Sequence, residues 1–155
     1  MKILGIDPGT RVIGYGLIEK RGSATVVRDY GVLRVSGELA LTERLRKIYN
    51  ELGHLLKRLK PKVIVVEDVF YAKDVRAMLK LGEARGVILL AAARTRAPIY
   101  EYTPAEIKKS VTGNGRADKS QVAKMVRLIL GIKTEIKPYD AADALAIALC
   151  HSHHI

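Results

Sequence analysis

The chain has no tryptophan, one phenylalanine and one cysteine among its 155 residues. A lone Cys150 cannot close an intrachain disulfide, which excludes a disulfide-stapled secreted scaffold and fits a reducing compartment such as the cytoplasm. Long apolar runs are absent too: the longest, Val87 to Ala93, falls far short of the ~20 residues that cross a bilayer. The opening reaches the charged Asp7 after only a few apolar residues, so neither a signal peptide nor a membrane anchor is expected there. Side-chain amides are confined to Asn50, Asn114 and Gln121, a scarcity that hints at a heat-adapted source. Negative charge is the scarcer sign, with 16 Asp and Glu against 27 Lys and Arg, a formal net charge of +11 and a pI of about 9.9. That surplus is the electrostatic footprint of a nucleic-acid binder, although a basic solvated surface gives the same totals. No helical segment sets Lys and Arg opposite a strongly apolar face, so no membrane partner is expected.

What is present describes an ordinary globular chain, 48% hydrophobic and 28% charged, long enough for one domain over residues 1–155 with a sizeable core. The run Ile3-Leu4-Gly5-Ile6 reads as a strand that ends at Asp7, where Pro8-Gly9 turns the chain. Val12 to Ile18 and Ala24 to Val35 read as two more strands, joined by Arg21-Gly22-Ser23 in an antiparallel meander. Leu45, Ile48, Leu52, Leu55, Leu56 and Leu59 recur at helical spacing and predict an amphipathic crossover helix from Leu41 to Leu59. That helix feeds Val63 to Val66, a β-branched run suited to a strand covered on both faces and parallel to an earlier one. Val75 to Arg94 reads as an alanine-rich helix whose Gly82 and Gly86 suit close core packing or, alternatively, a subunit interface. Pro98 to Tyr102 reads as a last short strand, and Thr103-Pro104-Ala105-Glu106 as a capped helix start. Asp118 starts another helix that Gly131 ends. The expected architecture is an α/β mixed five-stranded sheet flanked by helices. His151, His153 and His154 read as a solvated tail, with metal binding as the alternative.

Four acids stand out against the basic background. Asp7 and Glu67 each close an apolar strand and should emerge at strand ends. Asp140 reads as a helix N-cap, with Asp143 one turn later on the same face. Alanines 141 and 142 leave little bulk between that helix end and a neighbouring sheet. Each acid has a purely structural account as turn, strand-end charge, cap or helix-dipole charge. Together they need another, because carboxylates about 4 Å apart repel by roughly 4 kcal/mol per pair at an effective dielectric near 20. A divalent cation removes that cost, and an all-oxygen set without cysteine or histidine selects Mg²⁺ or Mn²⁺ over zinc.

Five segments occur in an order that resembles the RuvC-type Holliday junction resolvases of the ribonuclease H-like superfamily. They are Ile-Leu-Gly-Ile-Asp-Pro-Gly-Thr-Arg with Gly14-Tyr15-Gly16, Val-Glu-Asp-Val-Phe around Glu67, Lys80-Leu81-Gly82-Glu83-Ala84-Arg85-Gly86, Asp118-Lys119-Ser120-Gln121-Val122, and Asp140-Ala-Ala-Asp-Ala-Leu-Ala. The resemblance implies a ribonuclease H-like sheet and a homodimeric endodeoxyribonuclease that nicks opposing strands of four-way junction DNA during recombination and repair. It implies Asp7, Glu67, Asp140 and Asp143 as catalytic metal ligands, with two Mg²⁺ ions (Mn²⁺ as a substitute) held once DNA is bound. By position, Lys119 matches a catalytic and DNA-binding lysine, Lys108 a DNA-binding lysine, and Phe70 an aromatic that stacks on junction bases. Arg76 and Arg116 are backbone-contact candidates, and a branch-migration motor complex is the family's expected partner. The acidic Asp68 departs from the pattern; strand alternation should point it away from Glu67.

Two other classes fit parts of the sequence. Asp7 to Thr10 alone also resembles the phosphate loop of actin-like ATPases, but those enzymes need two related domains and this chain has room for one. A junction-binding module without catalysis would explain the charge but leave the four acids without a purpose.

Overall fold

Three strands open the chain: β1 (Lys2–Asp7), β2 (Val12–Arg21) and β3 (Ala24–Arg34), each pairing antiparallel with the next. Helix α1 (Leu41–Leu59) then crosses over to β4 (Val63–Glu67), which lies parallel to β1, and β5 (Ile99–Tyr102) adds parallel to β4. The sheet order is β3-β2-β1-β4-β5. Helix α2 (Val75–Ala93) joins β4 to β5, and α3 (Pro104–Thr112), α4 (Lys119–Leu130) and α5 (Tyr139–His154) follow. This computed structural model describes residues 1–69 and 74–155. Among them no helix is long and apolar enough to cross a membrane.

Alternation along the strands divides the core in two. Ile3, Ile18, Val63 and Val65 pack on α3, α4 and α5, whereas Leu4, Ile6, Leu17, Ile64 and Val66 pack on α1 and α2. A period of two sends successive side chains to opposite faces, so each central strand is apolar throughout because both faces are covered. Asp7 continues the Ile3-Gly5 series and Glu67 continues Val63-Val65, which assigns both acids to the α5 face.

Helix α5 is apolar almost all round because it is buried almost all round, with Asp143 the half-buried exception between Ala141 and Ser152. Its backbone lies directly on the sheet. A Cβ added at Gly5 would fall on the carbonyl oxygen of Ala144, and one added at Gly14 on that of Asp140.

Three expectations need correction. Asp140 does not cap α5: the helix starts at Tyr139 after Pro138, makes no side-chain cap bond, and carries Asp140 inside its first turn. Pro138 enters with an extended ψ of 166° and its carbonyl accepts from Ala141 N at 3.0 Å, so the helix begins before Asp140 is reached. Gly82 and Gly86 do not serve close core packing, since both are exposed and a Cβ at either would meet nothing within 4 Å among the described residues. The histidines are not a free tail. They form the last turn of α5, where His151 is buried and its Nδ1 lies 2.9 Å from the Tyr102 hydroxyl.

Gly14→Ala should destabilise the protein by about 3 kcal/mol or more, because the clash is with helix backbone that cannot step aside. Gly53→Ala, inside α1 with open space around it, should instead stabilise by roughly 0.5–1 kcal/mol. Urea unfolding of the two variants checks the contrast, and equal effects would mean that α5 does not need the glycine surface.

Candidate active site

The parallel register pairs Ile3 with Val63 through Ile6 with Val66, and its next step sets Asp7 beside Glu67 at the carboxyl ends of β1 and β4. Neighbouring strands lie about 4.8 Å apart, so the two carboxylates leave the same sheet face side by side. On its other flank Asp7 pairs with Gly14 of β2, the glycine beneath Asp140. The first turn of α5 is thereby held over the β1 end, and Asp143 follows on the same helix face.

These four acids line one cavity of about 380 Å³ together with Lys108 of α3 and Lys119 of α4. Pro8, Gly9, Val12, Ile107 and Val122 complete much of its wall. Lys119 Nζ stands 4.0 Å from Asp143 Oδ2 and is otherwise exposed. Its place is unusual, because a cation in the first turn of a helix opposes the macrodipole. The capping box between Asp118 and Gln121 holds α4 in place despite that charge.

The acids disturb one another. Burial raises the Asp7 carboxyl to about 8, with Glu67, Asp143 and Asp140 adding to the rise and Lys119 opposing it. Glu67 is pushed up by burial and by Asp143, against Lys108 and Lys119. Asp143 is raised by burial, with Lys119 and Lys108 pulling down and Asp140 pushing up. A set of carboxylate oxygens crowded together and partly desolvated fits a hard divalent cation, which would offset the cost of their negative charge. Among the described residues no three His, Cys, Asp or Glu side chains stand close enough to grip an ion as they are. The cavity is an open acidic cleft. A larger cavity of about 790 Å³ at the amino end of β4 is lined by His54, Lys57, Lys60 and Arg94 with no acid, so it offers nothing to a cation.

The structure brings together Asp7, Glu67, Asp140, Asp143, Lys108 and Lys119. It leaves two candidates outside that cavity. Arg76 lines a separate cleft of about 480 Å³ with Gly9, Thr10 and Lys80, and Arg116 is exposed in the α3–α4 loop, its backbone N–H bonded to Asn114 Oδ1 at 2.9 Å. Phe70 lies outside the described residues. Asp68 does turn away from the cleft, 3.3 Å from Arg85 of α2. Arg85 was legible only as part of a motif; its contacts with Glu67 and Glu101 join residues distant in sequence.

A mixed sheet of this order, with acids at the ends of β1 and β4 and on the helix laid across them, defines a ribonuclease H-like fold. The family model for crossover junction endodeoxyribonuclease RuvC matches residues 3–151. A crossover junction endodeoxyribonuclease RuvC from Desulfitobacterium hafniense is 47% identical over 155 residues, covering 100% of this chain and 94% of the relative. The solved structure of Thermus thermophilus RuvC superposes with a TM-score of 0.88 at 36% identity, covering 99% of this chain and 95% of that one. T. thermophilus RuvC in complex with a Holliday junction substrate gives 0.89 at 33%, covering 99% and 94%. The chain belongs to the RuvC family, which sets aside the actin-like reading of Asp7 to Thr10.

The crowding has a consequence for stability. The folded Asp7 carboxyl keeps its proton up to about pH 8 while the unfolded one releases it near 3.8, so stability is greatest at low pH and is lost as pH rises between those values. Without divalent metal, Asp7→Asn should therefore gain ~2–4 kcal/mol near neutral pH, and the gain should vanish toward about pH 4. Urea melts at the two pH values measure it; a variant no more stable at neutral pH would mean that Asp7 is not crowded.

Proposed function

We propose that this chain is a structure-specific endodeoxyribonuclease that resolves four-way DNA junctions by paired phosphodiester hydrolysis in recombination and repair. The observation that carries the proposal is the convergence of Asp7, Glu67, Asp140 and Asp143 with Lys108 and Lys119 on one cleft. A net charge of +11 around an acidic centre suits a polyanionic substrate that needs a cation at the point of reaction. The same family includes a member whose solved complex holds a Holliday junction.

In this reading the four acids hold Mg²⁺, with Mn²⁺ as a substitute and two ions per site once DNA is bound. Bound there, the ions would polarise the phosphoryl oxygens and stabilise charge on the attacking and leaving oxygens of an in-line displacement. The chain's own residues do the rest. Asp7 and Glu67 offer oxygens from adjacent strand ends, and Asp140 and Asp143 offer theirs from a helix laid directly on the sheet. Lys119 and Lys108 lie at the rim, where they neutralise the phosphate being cut and hold its neighbours. Phe70 stacks on junction bases, a contact worth roughly 1–3 kcal/mol, and Arg76 and Arg116 contact flanking backbone. Supply of the junction by a branch-migration motor, a single domain over 1–155 and a cytoplasmic setting belong to the same proposal.

Paired nicking requires two active sites, which a twofold homodimer supplies. Val75, Leu79, Gly82, Gly86 and Leu90 lie within an ~80° arc of α2 at 100° per residue. Val75, Leu79 and Leu90 are 74%, 62% and 57% exposed, and both glycines are open. That stripe supports α2 as the pairing face, its small residues allowing close approach of a second helix.

Purified protein with Mg²⁺ should nick a synthetic four-way junction symmetrically and leave plain duplex intact. Asp7→Asn should bind the junction normally while losing roughly 10³-fold or more in cleavage rate, since removing a metal ligand disables the centre. Preferential cutting of duplex, or cleavage retained in the variant, overturns the assignment. Leu79→Asp should convert the dimer to a monomer in analytical ultracentrifugation and uncouple the two nicks; a dimer that persists rules out the α2 stripe.

A further inference from the structure

Helix α2 packs on α1 through its apolar face, yet one of its side chains reaches across to the strands that carry the site. Arg85 Nε donates to the backbone carbonyl of Glu67 at 3.2 Å, Nη2 lies 3.3 Å from Asp68 Oδ1, and Nη2 also bonds Glu101 Oε2 of β5. The side chain is 18% exposed. Among the described residues no other α2 side chain hydrogen-bonds to a strand or to the residue that follows one. The arginine sits on the face opposite the acid cleft, behind Glu67.

The target of the Nε bond is informative. Arg85 has two carboxylates within reach, and ion pairing alone would be met by them. One arm instead engages the main chain at Glu67, the last residue of β4. The same peptide unit is held at its other end, where Asp68 N donates to Tyr102 O at 2.8 Å. With the residues before Glu67 held in the sheet, fixing the peptide plane on its carboxyl side sets the direction of its Cα–Cβ bond, from which the side chain extends toward Asp7. Only a planar guanidinium spans a carbonyl and two carboxylates at once; a lysine is a single point of charge.

We propose that Arg85 is a positioning residue for Glu67, setting the carboxylate's place in the cleft and thereby the cleft's affinity for a divalent cation. The inference rests on the nuclease reading above. Supporting groups behind a metal ligand are worth roughly 10- to 100-fold in metal affinity when removed. Arg85→Lys and Arg85→Gln should both raise the Mg²⁺ concentration for half-maximal cleavage by roughly that factor, because neither can span the three acceptors. Mn²⁺ binding, followed by electron paramagnetic resonance on the protein and on its junction complex, should weaken in parallel. Junction affinity in metal-free buffer should stay unchanged, and excess Mg²⁺ should restore much of the rate.

A merely structural arginine would lower the melting temperature without moving the metal midpoint, and that result overturns the proposal. Glu101→Gln, which removes one anchor of Arg85 far from the cleft, should shift the midpoint in the same direction by less. If the Arg85 variants fail to fold, an unmoved midpoint in Glu101→Gln overturns it instead. Wild-type cleavage with Mn²⁺ binding unaltered by either Arg85 change defeats the positioning role alone. Mn²⁺ binding that Asp7→Asn leaves untouched defeats the metal-site reading, and this inference with it.

Discussion

The contact on which the rest depends is the backbone of α5 lying on β1 and β2 with no room for a β-carbon at Gly5 or Gly14. Ordinary helix-on-sheet packing keeps the layers about 10 Å apart because side chains from both fill the gap. Here glycine on the sheet and alanine on the helix remove that filling beside the acid cleft. Asp140 and Asp143 are short side chains and can meet Asp7 and Glu67 only if their backbone comes this close. The lost packing near Gly14 is offset further along α5, where Leu145, Ile147 and Leu149 bury fully against the sheet and the outer helices. One close approach therefore fixes the geometry of all four acids, and it also explains why α5 is apolar on every side but one.

That arrangement has an electrostatic cost the fold tolerates. Burial penalises the Asp7 charge most, and the neighbouring Glu67, Asp143 and Asp140 add to it, which is why Asp7 holds a proton to about pH 8. The protein places its positive charge at the rim. Lys119 reaches Asp143 only at 4.0 Å and Lys108 lines the wall, so neither forms the tight ion pair that would cancel the acids outright. A centre neutralised by its own lysines would have no demand for a cation. Loose lysines leave that demand in place while easing it enough for the chain to fold.

Much of this was legible in the sequence, because the acids sit at ends of periodic segments. Asp7 and Glu67 each terminate a β-branched or apolar run, and the strand-helix-strand order dictates that the two runs lie parallel. Thr103, Asp118 and Gly131 carry cap chemistry that fixed α3 and α4 to within a residue. Asp140 was misplaced because a cap preference is weak, and the entry of the chain at Pro138 decides where α5 begins. The open face of α2 was ambiguous for a different reason. A helix built from Ala, Gly, Leu and Val has little amphipathic contrast, so its pattern cannot say which side meets the core. His151 looked like a solvated tail because its partners, Tyr100 and Tyr102, are some fifty residues away in sequence and known only from the fold.

The two layers of the protein meet the site from opposite sides. From the α5 face come the acids themselves; from the α2 face comes Arg85, which takes hold of the β4 end behind Glu67. Asp7 ends the central strand β1, flanked by β2 and β4, whereas Glu67 ends a five-residue strand beside the short edge strand β5. Of the two strand acids, the one nearer the sheet edge is thus the one that Arg85 backs. The helix giving that support also carries the apolar stripe Val75, Leu79 and Leu90, all three exposed among the described residues. A rigid helix that meets a second copy along one side and steadies Glu67 from another would tie the spacing of two clefts to the geometry inside each. In the proposed homodimer, cutting opposite strands of a single junction would call for that link, because each scissile phosphate would have to sit in register with one cleft while the other half of the same DNA is held by the partner.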